Sequence, residues 1–513
     1  MNVRSLSLAE ILEEHRRSRP AHAAAISCDG TVLTYPELAD RVIRLANAYE
    51  DAGVRAGDRI LWLAQNEVGV LEGIIAAGLL GAMFCPANWR QTAEEMAFVI
   101  DDLEPRVVVW QAGEVGAAVQ AARRSARHQD ARWIGLDDGG PLSYEHFVAD
   151  GDPAARPRDI DADRPALIVY TAAFGGRPNG AMLSQTAILW QDLALIDIQD
   201  LSTATVFLNS GPLFHVGTLM VTLAVFHIGG CNVFIRRSDA ALIAQAIHDH
   251  RCSYAFLMQS TCHELAELNC DSRYDWRCLR SASVSPQWDA MVTVIPERSL
   301  FGYGQTEVMG PVTWSYFGWG SNLGRNGRTA PNAQLRILDD AGAELPAGEV
   351  GEICVRGPTV MHGYWRRPEL NVQRQRDGWH RTNDLGRREA DGSLAFIGPK
   401  VQMIKSGAEN IYPAEVEGCL RQHPAVADCA VIGVPDAEWV QSVKAIVVLK
   451  PGVPLEATAV IEHCRAHIAS YKKPRFVEFV AALPRTANGA TDYKALDATF
   501  GGGGYPGGAT RGA

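Results

Sequence analysis

The sequence predicts an α/β fold built from more than one domain. Residues 59–110 alternate short apolar runs with stretches of helical spacing, which is typical of a parallel sheet covered by helices. At 513 residues the chain is too long for one ordinary domain and suggests about two to four. The predicted elements are strands at Ile60–Ala64, Met83–Pro86 and Arg106–Trp110 and helices at Val68–Leu80 and Thr92–Leu103.

Composition and charge narrow the possible function classes. Hydrophobic residues make up 47% of the chain, which is enough for a large core. The 48 basic and 59 acidic residues give a formal net charge of −11, and no long basic run interrupts this balance. Because binding to a nucleic-acid backbone needs clustered Lys and Arg, the sequence argues against a nucleic-acid partner.

The cysteines and the N-terminal segment indicate a soluble cytoplasmic enzyme. The eleven cysteines are scattered and lack a C-x-x-C pair, which favours reduced, mostly buried thiols over a disulfide framework or a zinc site. Residues Met1–Pro20 contain three glutamates and no long apolar core, unlike a signal peptide. The most apolar stretch, Gly73–Ala87, is too short and too rich in glycine to span a bilayer.

A glycine-rich turn at Tyr170–Ala181 has the shape of a phosphate-binding loop without most of its donors. In such loops glycines let successive backbone N–H groups point into one concavity, while hydroxyl groups and a lysine supply directed donors and charge. Ala172, Ala173 and Phe174 stand where hydroxyl residues are needed, and neutral Asn179 stands in place of a cation. On this stretch alone, an ordinary tight turn is the alternative interpretation.

Further motifs occur in the order found in the adenylate-forming superfamily, which includes acyl-CoA synthetases, adenylation domains and luciferases. The glycine-rich turn resembles the family's T-S-G-T-T-G-x-P-K-G motif. Three more matches are Y-G-Q-T-E at 303–307, G-W-H-R-T-N-D-L-G at 378–386 and S-G-A-E-N-I-Y-P-A-E-V-E at 406–417. Asn383 and Ala408 each replace a glycine of the family pattern. Because the motifs together span nearly the whole chain, the fold is identified by this resemblance.

The resemblance implies a large N-terminal domain of layered α/β subdomains and a small, mobile α+β C-terminal domain that rotates between an adenylating and a thioester-forming pose. We place the first at residues 1–397, a hinge at 398–402 and the second at 403–500. The glycine-rich tail 501–513 has few apolar residues and is expected to be disordered. In the C-terminal domain we predict strands at Ala425–Val434, Val443–Leu449 and Arg475–Val480 and helices at Ala414–His423 and Ala457–Ala469.

The resemblance also assigns candidate site residues for AMP or an acyl-adenylate and for Mg²⁺. In relatives, the tyrosine at this position stacks on adenine, the threonine contacts the α-phosphate and the aspartate accepts from the ribose hydroxyls. Carboxylate oxygen also suits Mg²⁺, which bridges phosphates. The implied catalytic residues are His215, Thr306 and Gly407, the nucleotide-binding residues are Ser283, Val284, Tyr303, Gly304, Thr306 and Asp384, and the Mg²⁺ ligand is Glu307. A packing role for His215 and a surface position for Glu307 are the alternatives.

CoA is the second expected ligand. In relatives the segment around Gly407 lines the channel for the pantetheine arm, and the methyl group of Ala408 would narrow that channel. The candidates for the nucleotide end of CoA are Trp439, Lys472, Lys473 and Arg475, because a tryptophan can stack on adenine and lysine and arginine can neutralise a phosphate. A solvated charged turn is the alternative interpretation of these residues.

The departures from the family pattern fall mainly on residues needed for adenylation. Besides Asn179, Ala490 stands where relatives have a lysine that bridges the substrate carboxylate and the α-phosphate. Pro399 replaces a ribose-contacting arginine, and Gln402 replaces an acidic hinge residue. Adenylation develops negative charge that fixed cations and N–H donors must meet, and loss of one donor costs about 3–4 kcal/mol, or roughly 10²–10³ in rate.

The predicted function is therefore thioester formation from an acyl-adenylate and CoA, with adenylation lost. A separate adenylating enzyme would supply the adenylate of a hydrophobic acid, for which a diterpenoid acid is one candidate. The first alternative is a complete ATP-dependent ligase in which Lys405 or Lys494 replaces the missing cations. A catalytically inactive scaffold is the second alternative, and an Ala490 introduced by experiment is a third. The sequence indicates no oligomeric state.

Overall fold

The structure is a computed structural model that describes residues 6–137, 139–171, 177–295, 302–315, 324–400, 403–407, 409–485 and 491–503. The tail predicted to be disordered begins at residue 501, but Gly502 N–H donates to the Asp497 carbonyl and Gly503 N–H to the Gly433 carbonyl, so the prediction is wrong for these residues; residues 504–513 lie outside the described ranges. Within them the chain forms two large, mainly parallel sheets with helices, then smaller antiparallel sheets, and finally a separate C-terminal sheet. The α/β class predicted from the sequence is confirmed.

Residues 6–295 supply the helices and most strands of the two large sheets. The helices are α1 (Leu8–Ser18), α2 (Tyr35–Asp51), α3 (Gly69–Leu80), α4 (Ala93–Leu103), α5 (Gly116–Ser125), α6 (Tyr144–Ala149), α7 (Gln185–Ile198), α8 (Val216–Ile228), α9 (Ala240–His250), α10 (Gln259–Leu268) and α11 (Pro286–Asp289). The strands are β1 (Ala23–Ile26), β2 (Val32–Thr34), β3 (Arg59–Leu63), β4 (Met83–Pro86), β5 (Val107–Trp110), β6 (Arg132–Gly135), β7 (Pro165–Thr171), β8 (Asn179–Ser184), β9 (Val206–Asn209), β10 (Cys231–Phe234), β11 (Tyr254–Ala255), β12 (Arg280–Ser281) and β13 (Thr293–Val294).

Residues 302–400 are mainly strands. These are β14 (Gly302–Gln305), β15 (Gly310–Trp314), β16 (Arg328–Thr329), β17 (Gln334–Leu338), β18 (Gly351–Arg356), β19 (Gly363–Tyr364), β20 (Gln375–Arg376), β21 (Trp379–Arg388) and β22 (Leu394–Pro399), with helix α12 (Pro368–Arg374) and a 3₁₀ turn at Thr306–Val308. Strands β17, β18, β21 and β20 form one antiparallel sheet in that order, and β22 pairs with β21.

The two large sheets carry the main core. The seven-stranded sheet has the order β19–β8–β7–β4–β3–β5–β6, and the other has the order β11–β9–β10–β1–β2. One continuous apolar cluster joins the helices to both sheets and fully buries Trp62, Phe84 and Tyr144. β7 and β8 are antiparallel neighbours, and Thr171 at the end of β7 pairs with Asn179 at the start of β8.

The C-terminal unit has its own sheet and core. Its strands are β23 (Ile404–Ser406), β24 (Glu409–Ile411), β25 (Val426–Asp436), β26 (Val440–Leu449) and β27 (Phe476–Phe479), and its helices are α13 (Pro413–Leu420), α14 (Ala457–His467) and α15 (Tyr493–Phe500), with a 3₁₀ turn at Ser470–Lys472. The sheet order is β24–β23–β26–β25, with β27 parallel to β26. An α+β C-terminal unit was the prediction, and the elements confirm it.

The structure confirms the predicted alternation of residues 59–110 as β3, α3, β4, α4 and β5. Thr92 caps α4 by accepting a hydrogen bond from the Glu95 N–H, while the Glu95 carboxylate accepts from the Thr92 N–H. This capping box explains why the helix begins where it does. Among the described residues no helix combines the length and the apolar character needed to cross a bilayer.

Candidate functional site

A cavity of about 390 Å³ lies between the large N-terminal part and the C-terminal unit. It brings together many of the residues predicted from the motifs with side chains of the C-terminal unit. The predicted residues that line it are His215, Tyr303, Gly304, Thr306, Glu307, Asp384 and Lys472. Further lining residues include Asn88, Phe214, Gln305, Phe396, Lys405, Glu409, Asn410, Tyr412 and Tyr471.

Tyr303 and Asp384 form the centre of one wall. The Tyr303 hydroxyl donates to Asp384 Oδ2 at 2.8 Å, and Gln305 Nε2 donates to the same oxygen at 3.0 Å. Burial raises the pKa of Asp384 to about 6, against the lowering effect of these hydrogen bonds. Both hydrogen bonds end on Oδ2, so Oδ1 is the oxygen that these two bonds leave for a ribose hydroxyl. Gln305 was missed by the sequence prediction although it lies inside the Y-G-Q-T-E motif.

The backbone of the Tyr303 strand requires glycine at its next position. A Cβ atom on Gly304 would lie 2.1 Å from the carbonyl oxygen of Gly310 on the neighbouring strand. Such a contact is far inside van der Waals distance, so any larger residue would push β14 and β15 apart. Gly304 therefore contributes close strand packing beside the cavity.

Glu307 is buried, and a surface position is wrong for it. Only 4% of the residue is exposed, and its Oε1 accepts a hydrogen bond of 2.7 Å from the Tyr364 hydroxyl. Burial raises the pKa of Glu307, which means that this environment disfavours an isolated carboxylate charge. A cation such as Mg²⁺ would favour the ionised form, and one carboxylate together with substrate phosphate oxygens is its usual ligand set. Glu307, beside the Thr306 hydroxyl, fits that role.

Asn179 has a basic neighbour that the sequence did not indicate. The amide is 9% exposed, and its Oδ1 accepts from Arg367 Nε at 3.1 Å. Arg367 also donates to Asp102 Oδ1 at 2.8 Å, so a carboxylate already matches its charge. Neither Asn179 nor Arg367 lines the cavity. The arginine therefore stands beside the position of the missing lysine without facing the site.

Pro399 lies directly opposite Asp384. The two residues are paired in the antiparallel register of β21 and β22, which explains how a residue at this position can reach ribose. Proline supplies neither charge nor a donor. The next residue, Lys400, does not replace the lost arginine, because its Nζ binds Asp340 at 2.9 Å and Glu352 at 3.0 Å.

His215 contacts the C-terminal unit across the cavity. It is the residue immediately before α8, and its Nε2 lies 3.3 Å from Glu409 Oε2. Arg90 forms an ion pair with the other oxygen of Glu409 and lies 5.1 Å from the centre of the Phe214 ring. Burial by itself raises the pKa of Glu409, but His215 and Arg90 outweigh it and lower the pKa to about 2. The His215 side chain is 44% exposed and lines the cavity, so it is not a core packing residue; its catalytic role stays a prediction.

Arg90 and Glu409 were not predicted as site residues. Glu409 lies inside the S-G-A-E-N motif, so its position was a usable signal. Arg90 lies in the segment between β4 and α4 and belongs to none of the motifs recognised in the sequence. Only the packing of the two units brings it next to Glu409. This contact joins residues 319 positions apart in the chain.

Gly407 and Trp439 are in contact, as a channel wall would require. The Gly407 N–H donates to the Trp439 carbonyl at 2.7 Å, and a Cβ on Gly407 would lie 3.1 Å from the indole ring. The φ of +58° at Gly407 also favours glycine. The Trp439 side chain is partly exposed, and the Arg475 guanidinium lies 5.5 Å from the centre of its ring. Neither Gly407 nor Trp439 lines the 390 Å³ cavity itself.

The structure corrects the role predicted for Lys472. This residue is only 5% exposed, and its Nζ binds Glu95 at 2.7 Å and Glu415 at 2.6 Å. Two carboxylates already match its charge, so it is not placed to bind the phosphate of CoA. Lys473 is more accessible and donates to the Ser470 carbonyl at 3.0 Å.

Ser283 and Val284 do not line the cavity. The Ser283 hydroxyl and the Val284 N–H both bind the carboxylate of Asp289, at 2.6 and 3.0 Å, which fixes the turn before α11. Their assignment to adenine stays a prediction. Several other predicted positions lie outside the described residues: Ala172, Ala173, Phe174, Gln402, Ala408 and Ala490.

Besides Lys472, the side chain of Lys405 lines the cavity. Its Nζ donates to Asn410 Oδ1 at 2.9 Å, and burial lowers its pKa despite the nearby charge of Glu409. Lys494, the other compensating cation considered, is exposed on α15 and does not line the cavity. Lys405 therefore shares the cavity with Tyr303 and Asp384.

A layered α/β domain, a small C-terminal unit and a polar cavity between them define the class of adenylate-forming enzymes. The sequence model of the AMP-binding enzyme family matches residues 12–365, and that of the AMP-binding enzyme C-terminal domain matches residues 415–490. The chain therefore belongs to the AMP-binding enzyme family, within the acyl-CoA synthetase superfamily. Its activity is of the acid–CoA ligase type.

Individual relatives agree with this assignment. A feruloyl-CoA synthase from Amycolatopsis sp is 34% identical over 92% of this chain and 95% of its own length. An indoleacetate–CoA ligase from Aromatoleum aromaticum is 34% identical over 94% of this chain and 96% of its own length. The amide bond synthetase McbA from Marinactinospora thermotolerans shares the fold, with a TM-score of 0.80 at 24% identity over 96% of this chain and 100% of that one.

Proposed function

We propose that the chain mainly catalyses the second half-reaction of an acid–CoA ligase, the transfer of an acyl group from an acyl-adenylate to CoA. The observation that carries this proposal is the composition of the cavity. From the segment around the S-G-A-E-N motif, Met403, Lys405, Glu409, Asn410 and Tyr412 line the same cavity as Tyr303 and Asp384. In the family resembled by this sequence, that segment lines the path of the thiol.

The chemistry of this step suits the residues that are present. The CoA sulfur forms a bond to the acyl carbonyl carbon, the bond from that carbon to the phosphate oxygen breaks, and AMP leaves with the electron pair. Asp384 and Thr306 would hold the nucleotide, and Lys405 would meet charge on the departing phosphate. His215, fixed beside Glu409, would lie next to the entering thiol, whose proton passes to the imidazole or to solvent.

Adenylation lacks comparable support. Adenylation needs positively charged groups around the triphosphate, and the two positions where relatives have lysines carry Asn179 and Ala490. The basic neighbour of Asn179 is already paired with Asp102 and does not line the cavity. We infer that a separate adenylating enzyme supplies the substrate. An aromatic acid is favoured over a diterpenoid because the feruloyl-CoA synthase and the indoleacetate–CoA ligase are both named for aromatic acids.

A complete ATP-dependent ligase is the second candidate function, and Lys405 favours it. This lysine lines the cavity and could supply part of the missing charge. The 34% identity to proteins named as CoA synthase and CoA ligase points the same way. In that case Lys405 would act in adenylation and not only in the release of AMP.

The test compares two reactions of the purified full chain. Acid, ATP and CoA are supplied in one, and preformed acyl-adenylate and CoA in the other, with ferulate and indoleacetate as first acids. We expect acyl-CoA from the adenylate at a rate at least about 10²-fold above that from acid and ATP, the loss expected for one missing donor. Equal rates, or ATP–pyrophosphate exchange at the same rate, would refute the proposal and favour the complete ligase. Failure of both reactions would favour the scaffold.

Lys405→Ala separates the two candidates further. Under the leading proposal it slows transfer from preformed adenylate, whereas under the second it abolishes ATP–pyrophosphate exchange. Lys450→Ala is the matched control, since this exposed lysine belongs to the same unit and does not line the cavity.

A further inference from the structure

The C-terminal unit contains a cluster of sulfur and imidazole groups outside the cavity. Cys419 lies near the end of α13, and His463 and His467 are one turn apart on α14. Residues four apart on a helix point to the same side, so both rings face the neighbouring helix. One ligand atom from each of the three residues lies within 4.8 Å of the other two.

Several contacts fix the two rings beside the cysteine. His463 Nε2 lies 3.0 Å from the Cys419 carbonyl oxygen, and His467 Nδ1 lies 2.7 Å from the His463 carbonyl oxygen. The centres of the two imidazoles are 4.3 Å apart, and the ring of His423 meets that of His463 edge to face at 5.0 Å. Imidazoles that bind metal commonly give their second nitrogen to a backbone carbonyl or carboxylate.

The surroundings of the cluster favour a cation. The charges of Glu94, Glu95 and Glu415 act on Cys419. Lys472 is paired with two of these carboxylates, Glu95 and Glu415. Cys419 is 4% exposed, whereas both histidines are partly exposed, so an ion could enter from the histidine side. The cluster also lies beside the contact between the two parts of the chain, where the Thr92 hydroxyl donates to the His467 carbonyl at 3.3 Å.

We propose that Cys419, His463 and His467 bind a soft divalent transition-metal ion, for which Zn²⁺ is the best match. Zinc takes thiolate sulfur at about 2.3 Å and imidazole nitrogen at about 2.0–2.1 Å in a tetrahedron, so its ligand atoms are roughly 3.3–3.7 Å apart. Closing the observed spacing of up to 4.8 Å to these values takes about 1 Å of side-chain rotation. The fourth position is left for water or for His423. Hard cations such as Mg²⁺ do not suit this ligand set.

The test is a metal titration of the full chain after treatment with a chelator. Co²⁺ is the probe. A non-chelating reductant is present because the thiols of Cys419 and Cys464 are joined by a hydrogen bond and would form a disulfide on oxidation. We expect one Co²⁺ per chain, with tetrahedral ligand-field absorption and a thiolate-to-cobalt charge-transfer band. Zn²⁺ should displace it, and excess Mg²⁺ should not.

Variants decide whether these residues are the ligands. Cys419→Ala should remove the charge-transfer band, and His467→Gln should weaken binding by about tenfold or more, the range seen when metal sites lose a supporting group. Cys429→Ala is the control, since it removes a sulfur that is equally buried in the same core and lies outside the cluster. His467→Gln changes a partly exposed residue, so it tests the proposal even if Cys419→Ala does not fold. Wild-type protein without a tetrahedral cobalt spectrum, or variants that bind like wild type, would overturn the proposal.

Discussion

Restoring the missing lysine at position 179 should destabilise the protein before it restores any adenylation. In the wild type the amide oxygen of Asn179 accepts from Arg367 Nε at 3.1 Å. The substitution Asn179→Lys would replace this acceptor with a second cation in a position that is only 9% exposed. Asp102 is the carboxylate that pairs with Arg367, and it would then have to serve two positive charges.

The size of the effect follows from Coulomb's law. Two unit charges 4 Å apart repel by about 4 kcal/mol at an effective dielectric constant of about 20. Arg367 is 26% exposed and Asp102 offsets part of the repulsion, so we expect a loss of stability of about 1–4 kcal/mol. The nearby arginine would also lower the pKa of a lysine at this position, so the lysine would be less often charged and would attract phosphate less strongly.

The assay measures thermal unfolding and ATP–pyrophosphate exchange in matched variants. Asn179→Lys should unfold at a lower temperature than wild type, and adding Arg367→Gln should raise the unfolding temperature again. Arg366→Gln is the control, since this neighbouring arginine pairs with Glu104 and not with Asn179. Some exchange activity should return when Ala490→Lys is combined with the Asn179→Lys, Arg367→Gln pair. Asn179→Lys alone with wild-type stability and rapid exchange would refute the reasoning.

Two further predictions concern carboxylates of the cavity. The pKa of Glu409 falls from an ordinary 4.5 to about 2, so its ionised form stabilises the fold above about pH 4.5 and this contribution disappears as the pH falls towards 2. Glu409→Gln should therefore lower the unfolding temperature near pH 7 and not near pH 2. Glu438→Gln, on the exposed turn, is the control and should change it at neither pH. If Glu409→Gln lowered the unfolding temperature by the same amount at both pH values, the ion pair with Arg90 would be contradicted. The pKa of Asp384 is raised to about 6, so its carboxylate takes up a proton as the pH falls through that value. The affinity for AMP, measured by calorimetry, should therefore drop below pH 6. A flat profile in the wild type, or the same drop in Asp384→Asn, would exclude a role for this carboxylate in binding ribose.

Much of the fold was predictable because its signals are local. The period of the apolar residues placed β3 to β5, and the predicted start of α4 at Thr92 differs from the observed start at Ala93 by one residue. The resemblance of the Y-G-Q-T-E motif assigned Tyr303 and Thr306 to one site, and both line the cavity. Asp384 could be assigned only by resemblance, since nothing in its own segment shows that it meets the Tyr303 hydroxyl 81 positions away.

The charged residues were harder to predict. Lys472 was expected to bind a phosphate, yet the packing of the C-terminal unit against α4 encloses it between Glu95 and Glu415. Arg367 was not considered, although it lies beside Asn179. A sequence gives the number of charges, whereas their pairing depends on which surfaces meet after folding. The partners of Lys and Arg are especially hard to predict from sequence, because their side chains are long and a small change in backbone position changes which carboxylate they reach.

By itself, the sequence determined the α/β class, the order of the motifs and the loss of the family lysines at 179 and 490, because residue identity and short spacing carry that information. The tertiary structure alone decided which charges are paired, how Glu409 meets Arg90 and His215, and that Cys419 lies beside His463 and His467. The absence of a C-x-x-C pair had argued against a metal site. Two packed helices can nevertheless bring a thiol and two imidazoles together, since spatial neighbours in a folded chain need not be neighbours in sequence.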